Sequence, residues 1–489
     1  MGPEIQLRPF NADSKEKSKE RAYIGWSPVP LTVIGNNSPG KPNKVKLTSK
    51  SLNKYKTRIE FKENAAAQPA DELEIDLGDN GQATCFIAGK FQRGRPHNGA
   101  SPDSKDVKIQ AAWVDNLGDV KGSLDFMIRV RRDAQLLTNK ARDDFTKALA
   151  ELNAYGKGIY VTDFVALHVA GAYNSQHDDV HFLPWHRLYL LDLERQLQLV
   201  NPSVSLPYWR FDKPAPRVFD KNFMGATQHV PMGAIDPNTG SPVNFTQGTS
   251  GGRMAEFSSE NRLSDWKIGD RNGIERVALF DPKNKAAPGW PDADFELLTE
   301  DETLALGGGN NEFGFRRPGR GFARMEGTPH GAAHVSFNGP VNYVPTAPQD
   351  PLFFLLHCNV DRLWAKWQFT YERDLPIEPE TYPYQTKREG AFSVEPTYLA
   401  GLFAQDYTVV DALQWPWDDT WSKPYNLRPP GTRSRNFTKS RTGKDFSSGD
   451  NPNMPSIADA LDAFGQRSTT NYLGFAYDDV PFDHGRDST

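Results

Sequence analysis

The placement of histidine constrains this chain more than any other feature. Ten histidines are spread over 489 residues, and seven of them lie in or just before two short stretches. One reads His177-Asp178-Asp179-Val180-His181-Phe182-Leu183-Pro184-Trp185-His186-Arg187. The other reads Thr328-Pro329-His330-Gly331-Ala332-Ala333-His334 and is answered by His357-Cys358-Asn359-Val360-Asp361. His168, His177 and His186 are nine and again nine residues apart, while His330 and His334 are four apart. A spacing of four sets two side chains on one helix face. Two sets of three imidazoles from helices of one core can hold two metal ions close together. A lone histidine on an apolar helix face is more often a hydrogen-bonded core residue than a ligand, but six in this arrangement outweigh that reading. His181 breaks the regular spacing and reads as a supporting residue rather than a ligand.

Ligand chemistry narrows the metal. All-imidazole donors suit copper, zinc, iron or nickel, and copper(II) outcompetes the others at a given nitrogen site. Di-iron bundle sites are built mainly from glutamate with Glu-x-x-His pairs, which is not this pattern. Hydrolytic zinc pairs usually include a carboxylate, and none sits in these trios. A dizinc hydrolase is therefore the weaker alternative, which metal analysis decides.

The rest of the composition excludes several classes. Net charge is −5 with a pI near 6.1, so no basic surplus points to nucleic acid or to an anionic membrane. No apolar run approaches membrane-spanning length. The first twenty-one residues are polar and lack the apolar core of a secretion signal. They predict a cytoplasmic chain, or a secreted one shown after trimming. The two cysteines, Cys85 and Cys358, are too few to staple a chain of this length.

Along the chain, residues 1–22 read as a flexible lead-in. Alternation of period two then runs through Thr57, Ile59 and Phe61, through Leu73, Ile75 and Leu77, and through Val107, Ile109, Ala111 and Trp113. Gly78-Asp79-Asn80-Gly81 between two such runs signals a hairpin. A small all-β, sandwich-like domain is expected over 23–125. Beyond Arg131 the period changes. Helices are expected over 133–152, 162–172 and 185–200, the last with His186 on the same stripe as Leu190, Leu193 and Leu197. Thr328 with Pro329, and Asp350 with Pro351, look like helix starts. Residues 213–325 read as long loops dressing the helical core, and 425–455 as a Pro-, Ser- and Gly-rich stretch.

At the histidine stretches the chain resembles the tyrosinase family of type-3 copper proteins. The likeness rests on His177…Phe182-Leu183-Pro184-Trp185-His186-Arg187, on Thr328-Pro329-His330…His334, and on Asp350-Pro351-Leu352-Phe353-Phe354…His357-Cys358-Asn359-Val360-Asp361-Arg362-Leu363-Trp364. A terminal Leu473-Gly474-Phe475-Ala476-Tyr477-Asp478 adds to it. The resemblance implies a mainly α, helical-bundle dicopper oxidase domain with long loops over 126–489, preceded by the β domain. It implies two copper ions, one on His168, His177 and His186, the other on His330, His334 and His357. Asn359 and Asp361 would orient imidazoles. No cysteine lies near His177, so the thioether of plant and fungal members is expected to be absent, as in bacterial ones.

The resemblance also implies the activity: oxidation of o-diphenols, with monophenols as the lesser class, to o-quinones by O2. Glu326, four residues before His330, would serve as the base for incoming phenols. The residue after His330 helps position the water involved, and an Asn there goes with monophenol hydroxylation; here it is Gly331, so diphenol oxidation should dominate. An o-aminophenol oxidase on the same site and a haemocyanin-like O2 carrier are the alternatives. The expected partners are a small phenol and O2, without nucleic acid or membrane; an oligomer remains open.

Overall fold

The computed structural model describes residues 3–9, 21–90 apart from 27, 54–56 and 65–66, then 95–96, 106–171, 177, 182–289 apart from 232 and 238, 297–306, 313, 321–373, 417, 455, 457–463 and 473–482. His97, His181 and nearly all of 425–455 lie outside the described residues. The chain divides into two compact units. The first comprises the described residues of 1–131 and 462–489, the second those of 132–438 and 454–461.

The first unit is built from two sheets. One contains β1 (Gln6–Pro9), β3 (Val29–Ile34), β5 (Arg58–Lys62) and β7 (Gln82–Lys90), in the order β1-β3-β7-β5. The other contains β2 (Arg21–Ile24), β4 (Lys44–Ser51), β6 (Glu72–Asp76), β9 (Val107–Trp113) and β10 (Val120–Ile128), in the order β2-β10-β9-β4-β6. Leu31, Val33, Ile59, Phe61, Cys85 and Ile87 from the first sheet share one buried cluster with Val45, Leu47, Ile109, Ala111, Phe126 and Ile128 from the second. Every second residue faces inward, which is what the period-two runs encode.

Two expectations change here. The Gly78–Gly81 turn is not a hairpin, because β6 pairs with β4 and β7 pairs with β3 and β5, in different sheets. Gly78 and Gly81 adopt φ of 63° and 69°, and Asp76 and Asn80 side chains accept from the turn's N–H groups. The turn chemistry is the one expected, but it carries the chain across the sandwich. Within 1–22, Ile5 is buried in the core and Leu7 packs against it, which makes Gln6–Pro9 a strand. The short Ile5/Leu7 alternation was hidden by the polar residues around it.

The first unit also takes in the chain's last described stretch. Pro481–Phe482 pairs with β8 (Arg95–Pro96). Trp26 Nε1 donates to the Phe475 carbonyl at 2.6 Å, and the Arg131 guanidinium lies 4.1 Å from the Phe475 ring centroid. A Cβ on Gly25 would sit 2.2 Å from the Gly474 carbonyl oxygen. Gly25→Ala should therefore displace the 473–478 strap and cost about 1–3 kcal/mol, the usual penalty of overpacking. Urea unfolding followed by circular dichroism checks this, and an unchanged midpoint would contradict it.

Glu60, on β5, has its carboxyl pushed up to about 7 by burial, against the pull of Lys62 and Lys90. The unfolded chain gives up this proton first, at its ordinary value, so stability is full below that value and is lost as pH rises through 7. Glu60→Gln is expected to flatten the first unit's stability between pH 5 and pH 8, where the native chain should lose roughly 2–3 kcal/mol. Urea midpoints at the two pH values measure it, and equal slopes in native and variant would refute it.

The second unit has a helical core: α1 (Asn139–Asn153), α2 (Ala166–Gly171), α3 (Phe182–Val200), α4 (Glu300–Leu304), α5 (Ala332–Val335), α6 (Leu352–Tyr371) and α7 (Ile457–Leu461). Thr138 caps α1 by accepting from Ala141 N, so the helix begins later than Asp133, whose own side chain caps a short 3-10 turn instead. A π-helical stretch, Tyr160–Val165, feeds directly into α2. The helix carrying His186 starts at Phe182, three residues before the leucine stripe signals it. The mainly α expectation applies to this core alone. Between Val200 and Glu300 the described residues hold only two-residue strands, one 3-10 turn and loops. No helix among the described residues is long and apolar enough to cross a membrane.

Candidate metal centre

α3 and α6 form the floor of the site. Both are buried almost throughout, including Arg187, Asp192, Asn359, Asp361 and Arg362. α3 supplies His186 and α6 supplies His357, and the two rings stack at 4.4 Å with planes 15° apart. His168 comes from α2, and His177 from the stretch that leads into α3. His330 ends a π-helical turn, Gly327–Gly331, and His334 sits on α5. Thr328 has extended angles, φ −138° and ψ 111°, as a residue ahead of a helix start does, but the turn that follows it is π-helical and α5 begins only after Gly331. Asp350 does start its helix, accepting from Leu352 N at 3.0 Å.

The structure brings all six predicted histidines together as two trios, each with one ring nitrogen per residue within 4.8 Å of the others. In the second trio the convergence is close. Nε2 of His357 lies 3.2 Å from Nε2 of His330 and 3.1 Å from Nε2 of His334. Nδ1 of His330 faces the Glu326 carbonyl at 2.6 Å, and Nδ1 of His334 faces the Val341 carbonyl at 2.6 Å. A ring nitrogen against a carbonyl must carry the proton, which leaves the lone pair on Nε2. Two lone pairs aimed at the third Nε2 at such separations match nitrogens sharing one ion bound at about 2.0–2.1 Å.

In the first trio, Nδ1 of His186 faces the Phe182 carbonyl at 2.8 Å, again directing Nε2 inward. Among the described residues, Nε2 of His186, Nδ1 of His177 and both ring nitrogens of His168 are buried without a hydrogen-bond partner. Each such orphan costs about 1–3 kcal/mol, a cost a bound cation removes for one nitrogen of each ring. The ring centroids of His168 lie 5.0 Å from those of His177 and 5.8 Å from those of His186.

Burial is the main cause of the site's electrostatics. It pushes His177 down to about 3 and His334 to about 4, the latter against the opposing pull of the Val341 carbonyl and Asp350. It drives His168, His186, His330 and His357 well below the ordinary histidine range, with neighbouring imidazoles adding to the effect. Six neutral imidazoles offer lone pairs at any physiological pH.

Two aromatic rings complete the shell. Phe353 stacks on His357 at 4.0 Å and meets His168 edge-on at 4.8 Å. Phe182 lies 4.6 Å from His186 and 4.7 Å from His330. Each phenylalanine therefore touches both trios. Each also precedes its histidine by four residues, a spacing visible in the sequence that places ring beside ring on one helix face. The backbone carbonyls of Phe182, Glu326 and Val341 that orient the imidazoles carry no sequence signal, since any residue type provides one.

Of the other predicted residues, Glu326 is buried and lends its carbonyl to His330, while Gly331 is half-buried. Asn359 accepts from Arg362 at 3.1 Å, and Asp361 accepts from Arg187 at 2.5 Å. Cys358 is buried and in no disulfide, its Sγ donating to the Leu206 carbonyl at 3.7 Å.

Two facing, nitrogen-only trios define a dinuclear centre of the kind suited to a redox-active metal pair. The model of the common central domain of tyrosinase matches residues 160–370, which contain all six histidines. Grixazone synthase of Streptomyces griseus is 30% identical over 299 residues, covering 53% of this chain and 90% of that protein. The tyrosinase of Streptomyces antibioticus is 29% identical over 300 residues, covering 60% and 93%. Among solved structures, the tyrosinase of Burkholderia thailandensis aligns with 16% identity and a TM-score of 0.35 over 73% of this chain and 75% of that one. The chain belongs to the tyrosinase family. It is a type-3 copper enzyme, a tyrosinase-type oxidase that works with two copper ions.

Proposed function

We propose that His168, His177 and His186 hold one copper, that His330, His334 and His357 hold the other, and that the centre oxidises o-diphenols to o-quinones more readily than it hydroxylates monophenols. The observation that carries the ligand assignment is the convergence of three Nε2 atoms at His357, 3.1 and 3.2 Å from their neighbours. In the overall reaction two diphenols each lose two electrons and two protons, and one O2 takes up all of them to give two waters. When bound, the copper pair supplies the electron-accepting and O2-binding chemistry. Phe182 and Phe353 pack apolar rings against both trios. His186, His330 and His334 hold their ring orientation through carbonyl hydrogen bonds, so these three need not reorganise during turnover.

Glu326 is the candidate proton acceptor for an incoming hydroxyl. Its burial and its position one turn before His330 support that role. Gly331 bears on substrate range because it offers no side chain to fix a water beside Glu326. Its backbone, at φ −57° and ψ −39°, tolerates any residue. Gly331→Asn is therefore expected to fold normally and to raise the ratio of monophenol to diphenol turnover roughly tenfold, about the effect of one added hydrogen bond. Initial rates of O2 uptake with tyrosine, a catechol and an o-aminophenol test both statements. A native tyrosine rate equal to the catechol rate would overturn diphenol dominance, and a faster o-aminophenol rate would move the assignment to that class.

A further inference from the structure

Beyond the ligands themselves, and resting on their assignment, one buried contact ties the helix that carries His186 to the helix that carries His357. Arg187 directly follows His186 on α3. Its Nε donates to Asp361 Oδ1 at 2.5 Å, and its Nη1 donates to Gln368 Oε1 and to the Ala460 carbonyl, both at 2.8 Å. The guanidinium carbon lies 3.7 Å from the Trp364 ring centroid. Asp361, Trp364 and Gln368 follow one another on α6 at spacings of three and four, so all three lie on one face of it. Asp361 is also four residues after His357, one turn along the same face. The Arg187 side chain is fully buried and that of Asp361 nearly so.

We propose that the Arg187–Asp361 pair is a positioning device that sets the separation of the two metal sites. Apolar packing between α3 and α6 resists separation but tolerates small slides, because leucine contacts have little directionality. A planar guanidinium held by a carboxylate, an amide and a carbonyl, with a ring against its face, fixes both the slide and the rotation. It does so within one turn of the His186–His357 stack, where a shift of α3 along α6 becomes directly a shift of one trio against the other. Replacing such a pair by apolar residues of similar volume often leaves stability intact, so a role in spacing separates from a role in folding.

The test loads the full chain with copper(II) and measures bound copper by mass spectrometry beside the share that is visible by electron paramagnetic resonance. Two copper(II) ions near enough to share a bridging ligand pair their spins and are silent; ions moved apart are visible. The variants are Asp361→Asn, the apolar double variant Arg187→Met with Asp361→Leu, and Leu149→Ala on α1 as a destabilised control. Both pair variants should retain two coppers per chain and show at least a fivefold larger visible share, while the control stays native-like. A visible share in the double variant equal to that of the native chain and the control overturns the proposal and leaves the ligand assignment standing. A native chain that does not take up two coppers overturns the assignment, and the proposal with it.

Discussion

His357→Ala is expected to reduce bound copper from two ions per chain to one and to lower catechol oxidation by at least about a thousandfold, since loss of a mere orienting partner already costs 10–100-fold. His357 touches both trios. Its Nε2 is the point on which His330 and His334 converge. Its ring stacks on His186 from the other trio and on Phe353. Alanine removes one donor and the ring that spaces the remaining ones, so neither His330 nor His334 retains a complete partner set. His229, exposed in the long loop region, is the control, and its alanine variant should keep copper and activity. Metal analysis and O2 uptake read the two effects. A His357→Ala protein with two coppers and activity within tenfold of native would remove this residue from the site.

Asp350→Asn should produce the largest loss of stability. Asp350 takes Arg276 in two hydrogen bonds of 2.6 and 2.7 Å, and both residues are fully buried. Arg276 is further held by the Met224 carbonyl at 2.9 Å, and Asp350 accepts the first N–H of α6. The pair thus fixes the start of the helix that carries His357 to the loop region around 224–227. Neutralising the acid leaves a guanidinium buried without its charge partner, which costs about 3–5 kcal/mol. For a unit of this size that corresponds to a fall in Tm of roughly 5–8 °C. The double variant Arg276→Met with Asp350→Leu should lose much less, because it buries no lone charge. Thermal unfolding of the metal-free proteins compares the three. A double variant as unstable as Asp350→Asn would contradict this account of the pair.

The histidines themselves were legible in the sequence because ligand chemistry demands particular residue types at particular helical spacings. The leucine stripe beside His186 announced α3, and Asp350-Pro351 announced α6. What escaped notice was carried by groups or geometry that sequence encodes weakly. The Thr328-Pro329 start signal opens a π-helical turn rather than an α-helical one, and α5 follows only after Gly331. The Gly78–Gly81 turn has the chemistry of a hairpin, but which sheet each flanking strand joins is decided by distant partners, β4 for one and β3 for the other. α4 was hidden in a loop-rich region although Thr299 and Glu302 form a full capping box, a signal readable three residues apart. Glu300 on that helix binds Arg362, Lys366 and Arg210, tying α4 to α6. Burial raises its carboxyl, but these cations outweigh that and hold it at about 2. Such a charge network is invisible until the helices are placed.

The central claim is that the six histidines form two copper sites in one chain. Titrating the metal-free protein with copper and weighing the intact chain by native mass spectrometry tests it most directly. The account predicts uptake of two coppers per chain, falling to one in His357→Ala. Saturation of the native chain at one copper, or at none, would contradict it.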